Sequence, residues 1–207
     1  MIDYSLYLVT DRDLLAGRQL LGEVRKAVQG GVTMVQLREK CTSSREFYHS
    51  AVAIKQELTG SGVMLIINDR LDIALASGAD GLHVGQDDLP PEVATQLMPL
   101  GSIIGVSVNT PEEAGAAIAG GASYLGVGPV YFTPTKEDAS APIGLAGLRE
   151  IRKLSDIPLV AIGGVKEENL AEIKRAGADG VAVVSALMGT PDIEAAAQRM
   201  IGIWRAN

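Results

Sequence analysis

Seven consecutive residues, Met34-Val35-Gln36-Leu37-Arg38-Glu39-Lys40, turn from an apolar run into a polar, cationic one. If that segment is extended, alternation puts Gln36, Arg38 and Lys40 on one face and Leu37 on the other. An unpaired buried guanidinium is costly, so Gln36 with Arg38 points to an anionic ligand. Lys40, taken alone, equally suits a strand end meeting solvent. Two more apolar runs end in acids, Asn68-Asp69-Arg70 and Gly85-Gln86-Asp87-Asp88. Carboxylates on adjacent loops suit Mg2+, which takes one or two protein carboxylates and fills its shell with water and substrate phosphate oxygens. Each of Asp69 and Asp88, taken alone, reads more often as the cap of a following helix than as a ligand.

Further along, Tyr131-Phe132-Thr133-Pro134-Thr135-Lys136 and EDASAPIGLAG form the longest interruption between an apolar run and its helix. Segments of this length are lids, binding loops or mobile surface. Thr133, Thr135 and Lys136 give this one hydroxyls and a charge to wrap a phosphate. Two late runs end in Ile162-Gly163-Gly164 and Val183-Val184-Ser185. Paired glycines allow close backbone approach to an anion, although a tight turn alone would also account for them.

These groups hang on a regular frame. Apolar runs SLYLVT, MVQLR, MLIIN, GLHVG, IIGVSV, YLGVG, PLVAIGG and GVAVVSAL alternate with amphipathic stretches, eight strands each followed by a helix. Continuous apolarity fits strands covered on both faces. Thr42-Ser43-Ser44 and Thr110-Pro111-Glu112 are helix starts. A weak repeat, GGVTMVQL, SGADGLHV, GGASYLGV and AGADGVAV, precedes strands two, four, six and eight, as quarter-barrel repetition would leave it. Gly-Ala-Asp turns also precede strands in open doubly wound sheets, but eight units without a dinucleotide fingerprint favour closure. The expectation is α/β, a single (β/α)8 TIM barrel over residues 1–207, with its chemistry at the C-terminal strand ends.

Composition narrows the partners. At 207 residues there is little room for a second domain, and 47% hydrophobic with 21% charged residues is ordinary for a chain that folds alone. A net charge of −7 with dispersed basic residues argues against nucleic acid. No apolar run approaches the roughly 18 residues of a membrane span, and MIDYSLYLVTDRD lacks the features of a signal peptide, so the expected compartment is the cytoplasm. Cys41 is alone and has no nearby His motif; His83, inside a strand, reads first as a hydrogen-bonded core histidine; Tyr48 and His49 read as helix surface or packing, and Trp204 as a packing anchor or subunit contact.

In their order and positions, QLREK, NDR, DGLHVGQDD, GVS, TPTK, IGG and VVS resemble thiamine-phosphate synthases over nearly the whole chain. The resemblance implies a pyrimidine diphosphate held by Gln36, Arg38, Lys40, Asn68 and Lys136, with Ser107 near the pyrimidine. It implies Mg2+ on Asp69 and Asp88, and a thiazole phosphate, in plain or carboxylated form, against Thr133, Thr135, Gly164, Val184 and Ser185. Arg38, Lys40, Lys136 and Ser107 would then serve the reaction: pyrophosphate leaves, a pyrimidine methylene cation remains, and the thiazole nitrogen captures it. A ring nitrogen with a free lone pair needs no general base, so the lack of a Ser-His-Asp set is expected.

Three alternatives stay open on sequence. A thiazole tautomerase on the same fold would not need Lys40, Lys136 and both aspartates. A non-catalytic relative binding thiamine intermediates would not need the metal ligands. A phosphosugar isomerase would use Gly163, Gly164 and Ser185 but leave QLREK and TPTK without a role. Homo-oligomerisation is a further possibility on which the sequence is silent.

Overall fold

The computed structural model describes residues 2–133, 141–154 and 156–207. Eight parallel strands close on themselves in chain order: β1 Leu6–Val9, β2 Met34–Leu37, β3 Met64–Asn68, β4 Gly81–Val84, β5 Ile103–Val108, β6 Tyr124–Val127, β7 Leu159–Ile162 and β8 Gly180–Val183. Register runs unbroken around the ring and closes where Leu6 pairs Val181. Outside them lie α1 Leu20–Gln29, α2 Ser44–Leu58, α3 Leu71–Ser77, α4 Pro91–Leu97, α5 Pro111–Ala119, α6 Gly144–Leu154 and α7 Leu170–Arg175. After β8 the chain makes two helices, α8 Ser185–Met188 and α9 Ile193–Ala206.

Strand periodicity separates two cores. Leu6 and Leu8, Val35 and Leu37, and Leu82 and Val84 face the helices, whereas Tyr7 and Val9, Met34, Ile66, Ile103, Tyr124, Val160 and Ala182 fill the barrel interior. The same alternation sends Gln36, His83 and Ser107 inward.

The fourfold repeat has a physical basis. In each copy the polar residue just before the even-numbered strand, Thr33, Asp80, Ser123 or Asp179, grips one residue of the preceding odd-numbered strand twice. Its N–H donates to the carbonyls of Leu6, Leu65, Ile104 and Leu159 at 2.7–2.9 Å. Its side-chain oxygen accepts from the N–H of the same residue at 2.8–3.1 Å. Asp80 and Asp179 add ion pairs to Lys55 on α2 and Arg152 on α6. These clasps satisfy backbone groups at the N-terminal strand ends, which leaves the opposite end free for ligands.

Both helix starts have the expected caps. Ser43 accepts from Glu46 N while the Glu46 carboxylate accepts from Ser43 N, and Thr110 accepts from Glu113 N. Two boundaries differ from the sequence reading. β2 stops at Leu37 because Arg38 N donates to Thr10 Oγ1 at 3.0 Å and leaves the sheet there. GVAVVSAL is not strand throughout: β8 ends at Val183, Val184 turns, and Ser185 opens α8, whose carbonyls accept the next N–H groups.

Candidate active site

The C-terminal strand ends enclose a cavity of about 330 Å3, within the range of small-ligand sites. Gln36, Arg38, Lys40, Asn68, Asp69, Asp88, Ser107, Thr133, Gly164, Val184 and Ser185 all line it, although they come from the ends of seven strands. Thr135 and Lys136 lie outside the described residues.

On the β2 side, Gln36 is buried and its Nε2 donates to Tyr7 Oη at 3.1 Å. Arg38 follows, half-buried, its backbone fixed by Thr10. Lys40 is exposed at the rim but still borders the cavity. Beside them, Glu39 is clamped by Arg12 Nε at 2.6 Å, its side chain only 2% exposed, so it is spent on holding two loops together.

The carboxylates gather at the ends of β3 and β4. Asp69 takes a left-handed backbone conformation, φ 62°, which turns its side chain out of the strand path. Desolvation, then the neighbouring Asp88 carboxyl, push its pKa up to about 7, against the pull of the Arg38 charge and the Asn68 amide. Asn68 Nδ2 donates to Asp69 Oδ2 at 2.6 Å, and Gly85 N donates to Asp88 Oδ2 at 2.8 Å. Neither acid caps a helix: the N-cap residues of α3 and α4 are Arg70 and Pro90, with no side-chain cap bond. The capping alternative therefore fails for both. Two crowded carboxylates, with Asp69 holding its proton against its usual preference, fit a hard divalent cation. Among the described residues no group of three or more His, Cys, Asp and Glu side chains could hold a metal unaided, so such an ion would need oxygens from its substrate.

At the opposite wall, Gly163 and Gly164 have φ of 93° and 64°. A Cβ on Gly164 would meet Tyr131 Cβ at 2.7 Å and the Phe132 carbonyl at 2.8 Å, and one on Gly163 would meet Pro129 Cβ at 2.5 Å. The glycines thus press the β7 loop against the segment after β6, which is a tight turn and a wall of the cavity at once. Gly164, Val184 and Ser185 border the cavity together.

The floor of the cavity carries residues to which sequence reasoning gives no place in the site. Tyr7 and Tyr124, which have the pattern of core residues, line the cavity, and so does His83. His83 is indeed buried and hydrogen-bonded, through Nδ1 to Tyr124 Oη and Nε2 to Ser107 Oγ, each at 2.8 Å. Gln86, also unassigned from sequence, ties the β4 loop to β5 by donating to the Ser107 carbonyl at 2.6 Å. Burial pushes the Tyr7 and Tyr124 hydroxyls well above the usual phenol range and keeps them neutral. Elsewhere Cys41 is exposed, Tyr48 and His49 sit on the outer face of α2, and Trp204 is buried under Lys174 Nζ, 5.3 Å from its ring centre. Among the described residues no helix is long and apolar enough to cross a membrane.

The family model for thiamine monophosphate synthase matches residues 6–187. A thiamine-phosphate synthase of Syntrophomonas wolfei subsp. wolfei is 60% identical over 205 residues, 99% of this chain and 98% of its own length. One from Desulfitobacterium hafniense is 50% identical over 204 residues, 99% of each. Among solved structures, thiamine phosphate pyrophosphorylase from Pyrococcus furiosus superposes with a TM-score of 0.91 at 39% identity, covering 99% of this chain and 97% of that one.

Proposed function

Because this chain belongs to the thiamine monophosphate synthase family, we propose that its cavity binds a pyrimidine diphosphate beside β2 to β5 and a thiazole phosphate beside β6 to β8. The activity is thiamine-phosphate synthesis, a transferase reaction. The observation that carries the division of the cavity is its charge: Arg38, Lys40 and the Asp69–Asp88 pair share one side, and the glycine wall with Ser185 forms the other. The barrel over residues 1–207 is then a catalytic domain.

In the reaction the bond between the pyrimidine methylene carbon and the diphosphate oxygen breaks, and its electron pair leaves with pyrophosphate. The thiazole nitrogen lone pair then forms the new carbon–nitrogen bond. No proton need move. Arg38 and Lys40 balance charge as it grows on the departing group, and Asn68 steers Asp69. Asp69 and Asp88 would hold Mg2+, which supplies neutralisation of the same charge when bound. Ser107 meets the pyrimidine, while Thr133, Gly164, Val184 and Ser185 meet the thiazole phosphate. For Thr135 and Lys136 the same roles rest on the sequence resemblance alone.

Incubation with both substrates, with and without Mg2+, tests the reading. Thiamine phosphate and pyrophosphate are expected in equal amounts and only with the metal. No product under any condition, or full activity in a chelator, would overturn the assignment or its metal.

Ser185→Ala should separate binding from chemistry, because its contact lies away from the breaking bond. The expected result is a thiazole phosphate KM raised roughly 10-fold, the scale of one hydrogen bond to a charged group, with the single-turnover rate at saturation nearly unchanged. A large loss in that rate with KM unchanged would remove Ser185 from the phosphate site.

A further inference from the structure

Gln36, Tyr7, Tyr124, His83 and Ser107 form one continuous hydrogen-bonded chain across the barrel interior. Gln36 Nε2 meets Tyr7 Oη at 3.1 Å, Tyr7 Oη meets Tyr124 Oη at 2.9 Å, Tyr124 Oη meets His83 Nδ1 at 2.8 Å, and His83 Nε2 meets Ser107 Oγ at 2.8 Å. We propose that Tyr7, Tyr124 and His83 are positioning residues that lock Gln36 and Ser107 into opposite hydrogen-bonding roles, an acceptor at β2 and a donor at β5. A ligand suited to that pair is a nitrogen heterocycle carrying an amino donor and a ring-nitrogen acceptor. This ligand class rests on the pyrimidine reading of the cavity; the polarity of the chain does not.

The polarity follows from counting protons. A phenol has one to give, and a neutral imidazole has one. With Gln36 Nε2 donating to Tyr7, the Tyr7 proton goes to Tyr124, because a buried hydroxyl proton left without an acceptor is costly. Tyr124 in turn donates to His83 Nδ1. The imidazole proton therefore sits on Nε2 and is given to Ser107 Oγ, whose own proton turns to the cavity. Gln36 Oε1 is left to accept. Reversing the bond at either end of the chain requires reversing every link, so the orientation of the Gln36 amide and the direction of the Ser107 proton are set together.

The sequence makes room for this chain at two glycines whose backbone has no need of glycine. A Cβ on Gly105 would lie 2.4 Å from His83 Nδ1 and 2.2 Å from Tyr124 Cζ, and one on Gly126 would lie 2.9 Å from His83 Cε1. Both glycines occupy inward positions of β5 and β6, where a side chain would otherwise fill the barrel. Tyr4 packs its ring 5.3 Å from that of Tyr124 and closes the floor from below.

The test reads the imidazole nitrogens by 15N NMR in the ligand-free protein, which has only two histidines, His49 and His83. His49→Gln assigns the signals. His83 is expected as a single neutral tautomer with its proton on Nε2. Tyr124→Phe keeps the packed ring but cuts the chain, so it should mix the tautomers. It should also raise the pyrimidine diphosphate KM roughly 3- to 10-fold, the scale of one buried hydrogen bond, and leave the thiazole phosphate KM alone. Tyr7→Phe cuts one link earlier: the same KM should rise while the His83 tautomer stays on Nε2. A proton on Nδ1 in the wild type, an unchanged tautomer in Tyr124→Phe, or equal rises in both KM values would overturn the proposal. Failure of the wild type to use an aminopyrimidine diphosphate would sink the functional reading and the ligand class with it, and the tautomer spectrum would still report on the chain.

Discussion

Asp69→Asn should melt higher than the wild type at pH 8 and turn over about 100-fold more slowly or worse. The stability gain comes from the proton that Asp69 holds up to about 7 in the fold against 3.8 ordinarily. Between those values the unfolded chain has ionised and the native chain has not, so native stability falls as pH rises from about 4 to about 7 and stays reduced above that. Asn carries no such charge. It keeps an oxygen for the Asn68 amide, can donate to Asp88, and tolerates the φ of 62° better than most residues. Because Asp69 is open to solvent at the cavity rim, screening leaves about 1–2 kcal/mol, or roughly 3–6 °C in Tm for a domain of this size. The rate loss follows from removing one of two carboxylates for Mg2+, worth a few kcal/mol of charge stabilisation. Thermal melts in chelator at pH 4 and pH 8 check the first half: the Tm difference should be large at pH 8 and nearly vanish at pH 4. A variant that melts lower at both pH values, or that works at the wild-type rate, would show that the acid pair is neither strained nor used.

The same acid pair shows which parts of the site can be read from sequence. Asp69 follows its apolar run directly and Asp88 comes a few residues after the next one, and strand order alone makes those runs neighbours. Gln36 and Arg38 are legible for the same reason, since a cation straight after a buried strand must either meet an anion or reach solvent. Tyr7 and Tyr124 are not, because an inward aromatic on a barrel strand has the same pattern whether its hydroxyl is idle or linked. His83 looks like a core residue and is one, yet its ring also borders the cavity. The available signal is negative space: Gly105 and Gly126 at inward positions, where barrels ordinarily place bulk. Fold is easier, because the Thr33, Asp80, Ser123 and Asp179 clasps recur at fixed distance from their strands and mark four quarters. Strand ends are harder. Nothing in the Val183-Val184-Ser185 string reveals that the last residue opens a helix, since the apolar run continues through Ala186 and Leu187.

Arg38→Ala should cut kcat by roughly 100- to 1000-fold, the range for losing a preorganised donor to developing charge. Its guanidinium borders the cavity from a backbone held by Thr10, so no rearrangement is needed as pyrophosphate forms. Binding of the intact diphosphate already gains from Lys40 and the metal, and the pyrimidine KM should change much less than kcat. A second consequence separates this role from simple packing. The Arg38 charge opposes the upward shift of Asp69, so removing it drives that acid further above about 7 and leaves more of it protonated at neutral pH. The deficit of Arg38→Ala should therefore be greatest near pH 7 and shrink by pH 9, where Asp69 ionises without help. Arg38→Lys should recover the pH behaviour, which depends on charge, but only part of the rate, because an ammonium cannot present two parallel donors to a phosphate. Single-turnover rates at saturating substrates over pH 6.5–9 make the comparison. If Arg38→Ala reacts at the wild-type chemical rate, or if its deficit is the same at every pH, the guanidinium neither stabilises the leaving group nor tunes the acids, and the burden falls on Lys40.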